Sequence, residues 1–248
     1  MSNIVCKYAL ICSMMFITTS ALAGNETNDS FSQAKKHLRN IYADHRITIY
    51  CGAKFNADSS VMLPVGFETP KHKKRSQRIE WEHVVPAENF GRTFSEWREG
   101  HPNCVDSKGK TFKGRNCAEK MNYEYRLIQA DMHNLFPAIG SVNALRSNYN
   151  FTQLPENTPN TFGSCAMKID GKKVEPPTAS RGVIARTYFY MEQEYPRFKI
   201  SKQMKQLLTV WDKQHPVTEW ECIRAKRIEK IQGNANNIVN KRCQEAGY

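Results

Sequence analysis

Six cysteines that follow an export signal constrain the fold of this chain more than any other feature. Lys7 precedes the apolar run YALICSMMFITTS, and Ala21-Leu22-Ala23 then supplies the small-x-small pattern of a cleavage site. We therefore predict a signal peptide over residues 1–23, cleaved after Ala23, and one domain over residues 24–248. The cysteines of that domain are Cys51, Cys104, Cys117, Cys165, Cys222 and Cys243. An even set in an oxidising compartment predicts three disulfides.

The pairing of these cysteines stays open, because six cysteines can pair in many ways. A bridge between Cys104 and Cys117 is geometrically easy, and one between Cys222 and Cys243 is plausible. None of the six forms a CxxC pair, and no Cys/His spacing matches a structural zinc site. We expect disulfides that staple the fold.

The apolar run near the start is too short to span a bilayer, and no later segment reaches the required length. Cys6 and Cys12 lie too early for a lipoprotein cleavage site. We therefore expect a periplasmic or secreted protein without a membrane anchor.

The positive net charge of the chain favours a polyanionic partner. The whole chain carries +12, and loss of Lys7 with the signal leaves 35 basic against 24 acidic side chains, or +11. Basic runs occur at 71–75, 108–115 and 224–230, and each run alone is typical of a solvated surface. In a chain with 10% aromatic residues, the three together favour nucleic acid as the polyanion.

Hydrophobic periodicity predicts a single α+β domain that is mostly helical. Residues 78–86 (RIEWEHVVP) favour a strand that stops at Pro86, 51–64 a loop or hairpin, and 98–117 a cysteine-stapled loop. Helical patterns cover 30–45, 118–135, 138–148, 181–196, 200–216 and 216–234. Ser30 is the expected N-cap of the first helix, and Thr218 with Glu221 forms a capping box for the last one, which ends at Gly233.

Inside the predicted strand, Glu82 stands directly beside His83. Phosphodiester hydrolysis needs an activated water, a cation to neutralise the phosphorane and a proton for the leaving oxygen. A neutral imidazole can activate water near pH 7, and a carboxylate is a hard ligand for Mg²⁺. Neighbouring strand residues point to opposite faces, so the pair can share a site only where the strand ends, bends or bulges. A packed histidine beside a solvated glutamate is the simpler interpretation of the dipeptide alone.

Three segments decide between these interpretations: RIEWEHVVPAENFG (78–91), ADMHNLFPAIGSVNALRSNY (130–149) and PVTEWECIRAKRIEKIQGN (216–234). They resemble, in order, the bacterial endonuclease I family of periplasmic or secreted non-specific nucleases. The resemblance implies a ββα-metal (His-Me finger) core and Mg²⁺ as cofactor, with Mn²⁺ or Ca²⁺ able to substitute.

The resemblance also assigns roles to residues of this chain. Glu82 and Asn143 are the expected metal ligands, and His83 is the expected general base. Asn134 is expected to support the site and to orient the imidazole. His133 and Glu80 have structural interpretations, as a hydrogen-bonded residue in a helix and as a salt-bridged surface residue.

Members of this family use an arginine from the cysteine-containing loop against the phosphate. Arg115 is our assignment, because a guanidinium suits bidentate phosphate contact, and Arg98 is the alternative. The chain also departs from its relatives after Gln232-Gly233-Asn234, where ANNIV replaces their Asn-Pro-Phe.

The resulting expectation is a monomeric, sequence-non-specific endonuclease acting on double- and single-stranded DNA and on RNA. Its products would carry 5′-phosphate and 3′-hydroxyl ends. A non-enzymatic exported DNA-binding protein is the alternative, and the sequence identifies no inhibitor partner.

Overall fold

The computed structural model describes residues 24–248, so the signal peptide predicted over residues 1–23 lies outside the described residues. Helices and strands alternate along one mixed α+β domain in which helix predominates, as predicted. Within the described range the α-helices are α1 (Phe31–Ile41), α2 (Ala87–Gly91), α3 (Ser95–Arg98), α4 (Arg115–Met121), α5 (Tyr123–Gln129), α6 (Gly140–Arg146), α7 (Arg181–Glu194), α8 (Lys202–Gln214), α9 (Glu219–Gln232) and α10 (Asn237–Glu245). The strands are β1 (Lys54–Phe55), β2 (Val61–Met62), β3 (Ile79–His83), β4 (Leu135–Ile139), β5 (Asn150–Phe151), β6 (Lys168–Asp170) and β7 (Lys173–Glu175).

Local sequence signals set several helix ends. Helix α1 begins after Ser30, whose hydroxyl accepts a backbone N–H of the first turn, as predicted. Helix α9 begins after Thr218 and ends at Gly233, which has φ +87°. The capping box is only half formed, because the Glu221 carboxylate binds Arg186 instead of returning to the Thr218 amide.

A two-stranded antiparallel sheet carries the motif residues. Strand β3 pairs with β4 from Ile79↔Ile139 to His83↔Leu135, and α6 follows β4 without a loop. Alternation along β3 directs Ile79 and Trp81 toward the core cluster under α1 and α9. Glu80 and Glu82 therefore share the opposite face of the strand.

The single helix predicted over 118–135 is wrong. The chain leaves the helical conformation at Asn122, which has φ −120° and caps α5. A 3₁₀ turn at Met132–Asn134 then leads into β4, all five residues of which are buried. Pairing with β3 overrides the local helical pattern, because it satisfies the strand backbone inside the core.

The remaining sheets are small. Strands β1 and β2 form the hairpin that was one of two predictions for 51–64. Strand β7 lies between β5 and β6, parallel to β5 and antiparallel to β6.

Three disulfides staple the domain, as predicted. Cys104 pairs with Cys117 and Cys222 with Cys243. The third bridge joins Cys51 to Cys165, which are 114 residues apart in the chain. None of the helices in the described part of the chain is long and apolar enough to cross a membrane.

Candidate active site

A cavity of about 400 Å³ at the carboxyl end of β3 brings four of the predicted site residues together. Glu82, His83, Arg115 and Asn143 all line it. Strand β3 ends at His83, which is the condition under which two adjacent side chains can serve one site. The Glu82 carboxylate and the His83 imidazole therefore face a common space.

Glu82 is buried, and its two oxygens differ. Its Oε1 accepts hydrogen bonds from Tyr50 Oη at 2.7 Å and Arg146 Nη1 at 2.9 Å. Its Oε2 has no hydrogen-bond partner among residues 24–248. Burial raises the pKa of the Glu82 carboxyl, and the Arg146 guanidinium opposes that effect. A cation at Oε2 would favour the carboxylate form further.

Asn143 lies on the first turns of α6 and is oriented by Glu80. Its Nδ2 donates to Glu80 Oε2 at 2.9 Å, which leaves the amide oxygen as the group not engaged by that bond. Glu80 also binds Arg75. Burial acts to raise the pKa of Glu80, but the hydrogen bonds from Arg75 and Asn143 outweigh it and lower the pKa. The predicted surface salt bridge is therefore present, and its carboxylate also fixes a site residue.

His83 is held by a backbone group. Its Nε2 lies 2.8 Å from the carbonyl oxygen of Gln129. A carbonyl only accepts, so Nε2 carries the proton and Nδ1 is the basic nitrogen of the neutral ring. Burial, together with the nearby Arg115 guanidinium, lowers the pKa of His83 to about 3. The imidazole is thus uncharged at neutral pH.

Arg115 lies near His83 and has unused donor capacity. Its Nε donates to Gln129 Oε1 at 3.1 Å, and its guanidinium lies 5.2 Å from the centre of the Phe31 ring. Its Nη2 is buried and has no partner within the described chain. Arg115 also lines the cavity, and a guanidinium suits an anionic group of a substrate. Arg98, in contrast, is half exposed, donates to the Arg92 carbonyl and does not line the cavity.

The oxygen atoms in this cavity fit a hard divalent cation. The unengaged oxygens of Glu82 and Asn143 are a carboxylate and an amide carbonyl, which are ligand types that Mg²⁺ accepts together with water. Among residues 24–248 no group of three or more His, Cys, Asp or Glu could hold a metal. A cation here would therefore take few protein ligands and keep room for water and phosphate.

Comparison with known proteins identifies the chain's relatives. The sequence profile of the endonuclease I family matches residues 18–243. The chain belongs to this family. An extracellular deoxyribonuclease of Aeromonas hydrophila is 43% identical over 223 aligned positions, and the alignment covers 87% of this chain and 91% of the relative.

Two further relatives extend the comparison. An endonuclease-1 of Buchnera aphidicola subsp. Baizongia pistaciae is 40% identical over 253 aligned positions including gaps, and the alignment covers 95% of this chain and 97% of the relative. A periplasmic deoxyribonuclease of Aeromonas hydrophila is 40% identical over 222 residues, 87% of each chain. As a member of the endonuclease I family the protein is a periplasmic or secreted nuclease, an enzyme that hydrolyses phosphodiester bonds. Nucleases of this family generally need a divalent metal. The choice between enzyme and non-enzymatic binding protein is settled in favour of the enzyme.

One sequence-based role in this endonuclease needs correction. The Asn134 amide does not hydrogen-bond to the imidazole: its Oδ1 accepts from Val85 N at 2.8 Å and its Nδ2 donates to Val85 O at 2.9 Å. It thereby holds the chain that leaves β3. The imidazole is oriented by the Gln129 carbonyl instead. His133 is buried in the 3₁₀ turn, with Nε2 3.3 Å from the Asn234 carbonyl, in line with its structural interpretation.

Sequence reasoning missed three contributors to the site. Arg146 is fully buried and binds Glu82 together with the carbonyls of His83 and Val84. Its position three residues after Asn143 on α6 was a usable signal, because such residues share a helix face. Tyr50 and the Gln129 carbonyl had no comparable signal, since one comes from a distant loop and the other is a backbone group.

Proposed function

We propose that this protein is an exported, Mg²⁺-dependent, sequence-non-specific endonuclease that cleaves double- and single-stranded DNA and RNA, leaving 5′-phosphate and 3′-hydroxyl ends. The proposal includes a signal peptide over residues 1–23 and a monomeric enzyme over residues 24–248. Names of relatives such as extracellular deoxyribonuclease and periplasmic deoxyribonuclease support DNA as a substrate and export as the route. Mn²⁺ or Ca²⁺ could occupy the same site, because they too accept oxygen ligands.

The arrangement of β3, β4 and α6 supports a ββα-metal core. Two antiparallel strands and the helix that follows them directly carry the base, the carboxylate and the amide. Regular elements hold such groups more rigidly than loops do. In this core His83 and Glu82 come from β3, and Asn143 comes from α6.

The tautomer of His83 is the observation that carries the proposed chemistry. Because Nε2 donates to the Gln129 carbonyl, Nδ1 is the atom that can accept a proton from an attacking water. The lowered pKa keeps this nitrogen unprotonated at neutral pH. His83 is therefore available as a general base without first losing a proton.

The other residues bind and orient. Glu82 Oε2 and the Asn143 amide oxygen would hold Mg²⁺, while Tyr50 and Arg146 keep the Glu82 carboxylate in place. When bound, the cation supplies Lewis-acid stabilisation of the charge that develops on the phosphorane and helps the 3′-oxygen to leave. Arg115, which lines the cavity, would bind a phosphate oxygen through its guanidinium and so orient the phosphorus toward the water that His83 activates.

Lack of sequence preference follows from the same groups. Arg115 and a metal ion recognise phosphate, which every nucleotide carries, and the mature chain has a net charge of +11 from 35 basic and 24 acidic side chains. Phosphate contacts position a nucleic acid without reading its bases. We expect affinity to fall steeply with salt and to vary little between sequences.

A gel assay tests the proposal directly. Plasmid DNA and an RNA are each incubated with the mature protein, once with Mg²⁺ and once with EDTA. Degradation of both only with the metal, with ligatable 5′-phosphate ends, is the expected result. Retardation of intact DNA under both conditions would contradict it, and cleavage of DNA alone would remove RNA from the substrates.

A further inference from the structure

Two carboxylates outside the cavity of the proposed cation site are buried without a positive partner. Asp131 is completely buried, and Glu194 is only 3% exposed. Glu194 Oε1 accepts a hydrogen bond from Gln193 Nε2 at 2.8 Å, but its buried Oε2 has no partner. Neither residue forms an ion pair with any Lys or Arg of the described chain. Asp131 is compensated by four hydrogen bonds, from the His133 N–H and from the side chains of Tyr190, Tyr195 and Gln232. Burial of the Glu194 carboxylate, whose Oε2 has no such partner among residues 24–248, is costly unless a cation compensates it.

The two carboxylates are close enough to influence each other. Burial raises the pKa of the Glu194 carboxyl, and the negative charge of Asp131 raises it further. Asp131 Oδ2 accepts hydrogen bonds from Tyr190 at 2.7 Å and from Tyr195 at 2.5 Å. The Tyr195 hydroxyl in turn accepts the backbone N–H of Asn25 at 3.0 Å. This acidic pair, Asp131 and Glu194, is therefore linked to the beginning of the described chain through Tyr195, which donates to Asp131 and directly follows Glu194 in the sequence.

Residue 24 fits tightly against the same tyrosine. A Cβ on Gly24 would lie 2.6 Å from Tyr195 Cε1 and 2.8 Å from its hydroxyl oxygen, so only glycine is accommodated. The nitrogen of Gly24 shares the same Cα and lies no more than roughly 5 Å from that hydroxyl. Asn25 is buried too, and its Nδ2 donates to the Leu127 carbonyl at 2.8 Å.

We propose that the acidic pair is the binding site for the α-ammonium group of Gly24, which cleavage after Ala23 would release. Glu194 Oε2 would accept from this ammonium, and Asp131 would contribute charge through the Tyr195 hydroxyl. The inference rests on the cleavage site proposed above. In the uncleaved chain the Gly24 nitrogen is an uncharged amide, so no positive charge offsets the unfavourable free energy of burying the Glu194 carboxylate.

The acidic pair also connects to the catalytic base. Asp131 caps the 3₁₀ turn by accepting the His133 N–H at 2.9 Å. Gln129, two residues earlier, supplies the carbonyl that holds the His83 imidazole. Binding of the new terminus would therefore stabilise residues 127–134, the segment that orients the base. Cleavage of the signal peptide would therefore also order the segment that orients His83.

Two forms that differ by one natural residue test the inference. Fusion proteins cut by a sequence-specific protease give one chain that begins at Gly24 and another that begins at Ala23. We expect the Gly24 α-amine, followed by NMR with ¹⁵N-labelled glycine, to have a pKa above the ordinary value of about 8. We also expect the unfolding equilibrium constant of the Gly24 form to be at least about tenfold smaller, or about 1.4 kcal/mol.

Substitutions on α7 show whether Glu194 is responsible. Glu194→Gln should remove most of the difference between the two forms and return the α-amine pKa toward its ordinary value. Glu192→Gln is the matched control on the same helix: its carboxylate pairs with Lys205, so the difference should persist. Equal stability of the two forms, an ordinary α-amine pKa, or a difference that survives Glu194→Gln would each overturn the proposal.

Two features keep this result separate from the proposed nuclease mechanism. None of the measurements uses DNA or metal, so failure of the mechanism would leave their outcome unchanged. Mass spectrometry of the exported protein gives its first residue. A terminus other than Gly24 would overturn the inference while leaving the catalytic residues untouched.

Discussion

Two buried arginines in this protein make opposite use of the carboxylates they bind. Arg186 on α7 binds both oxygens of Glu221 at 2.7 Å and one oxygen of Asp212 at 2.9 Å. The other Asp212 oxygen is bound by Arg242. Every carboxylate oxygen of this structural cluster is thus occupied.

Arg146 on α6 is just as deeply buried but leaves its carboxylate half free. One Nη atom binds a single oxygen of Glu82 and the His83 carbonyl, and the other binds the Val84 carbonyl. Glu82 Oε2 stays open toward the cavity that Asn143 also lines. In the described part of this protein the carboxylate with an unpaired oxygen lines the candidate site, whereas the carboxylates with every oxygen paired stabilise the packing of α7, α8, α9 and α10.

The largest expected effect is on catalysis at the open site. His83→Ala should reduce kcat by roughly 10²- to 10⁴-fold, because a general base is lost, while DNA binding persists. Rates of plasmid cleavage with Mg²⁺ and binding in EDTA measure the two quantities. His37→Ala, a histidine on α1 outside the cavity, is the control and should keep its rate. A His83→Ala enzyme that cleaves almost as fast as the wild type would exclude this base.

Removal of either proposed oxygen ligand, Glu82 Oε2 or the Asn143 amide oxygen, should weaken metal binding at the same site. Glu82→Gln and Asn143→Ala should each weaken Mg²⁺ binding, measured by calorimetry, together with activity. Asn134→Ala should lower stability through the lost Val85 contacts and leave metal affinity of the folded protein intact. If Asn134→Ala alone abolished metal binding, the assignment of the amide ligand would be wrong.

Substitutions in the structural cluster around Arg186 should change the stability of the fold and not the catalytic rate. Arg186→Met is expected to lower the free energy of unfolding by about 3–5 kcal/mol, since it leaves Asp212 and Glu221 buried with less compensation. Urea unfolding measures this loss. Arg197→Met, in a half-exposed pair with Glu124, should cost at most about 1 kcal/mol. Specific activity of the folded fraction should not change in either variant. A fall for Arg186→Met would contradict a purely structural role for Arg186.

The pH dependence of stability tests the burial of His133, which lies in the 3₁₀ turn before β4. Burial lowers the pKa of His133 to about 4, whereas an unfolded histidine titrates near about 6.5. Between these values the unfolded chain binds a proton that the folded protein excludes, so stability falls as pH falls through this window. The loss from this residue should approach about 3 kcal/mol. Unfolding of the wild type and of His133→Gln between pH 7 and pH 4 measures it. Parallel curves for the two proteins would refute it.

The smallest effect expected here concerns the phosphate contact. Arg115→Ala should lower kcat/KM about tenfold or more, as expected for a charge-assisted hydrogen bond. Arg98→Ala should have little effect, because Arg98 lies outside the cavity. The reverse order in steady-state kinetics would transfer the phosphate role to Arg98.

Much of the candidate site could be predicted because its residues lie in short, ordered motifs. The segments 78–91 and 130–149 place Glu82, His83 and Asn143 on two elements, and the structure brings them to one cavity. The short disulfide Cys104–Cys117 was also accessible, since the cysteines are 13 residues apart. These features depend on side-chain chemistry and local spacing, which a sequence displays directly.

Helix boundaries were less predictable where a strand partner intervened. Residues 118–135 have a helical pattern, yet Asn122 interrupts it and Leu135 already belongs to β4. The register of β3 with β4 joins residues more than 50 positions apart. A local pattern cannot report such pairing, because its stabilisation comes from the distant strand.

From the sequence alone the three disulfides could be predicted, and the family resemblance predicted Glu82, His83 and Asn143 as site residues, because cysteines and motif residues can be identified in a sequence directly. Only the tertiary structure decided how they are held. The Gln129 carbonyl sets the tautomer of His83, Arg146 fixes one oxygen of Glu82, and Cys51 finds Cys165 across 114 residues. A backbone carbonyl carries no residue signature, and long-range contacts exist only once the chain has folded. The contacts that hold the site residues in place could therefore not be predicted from the sequence.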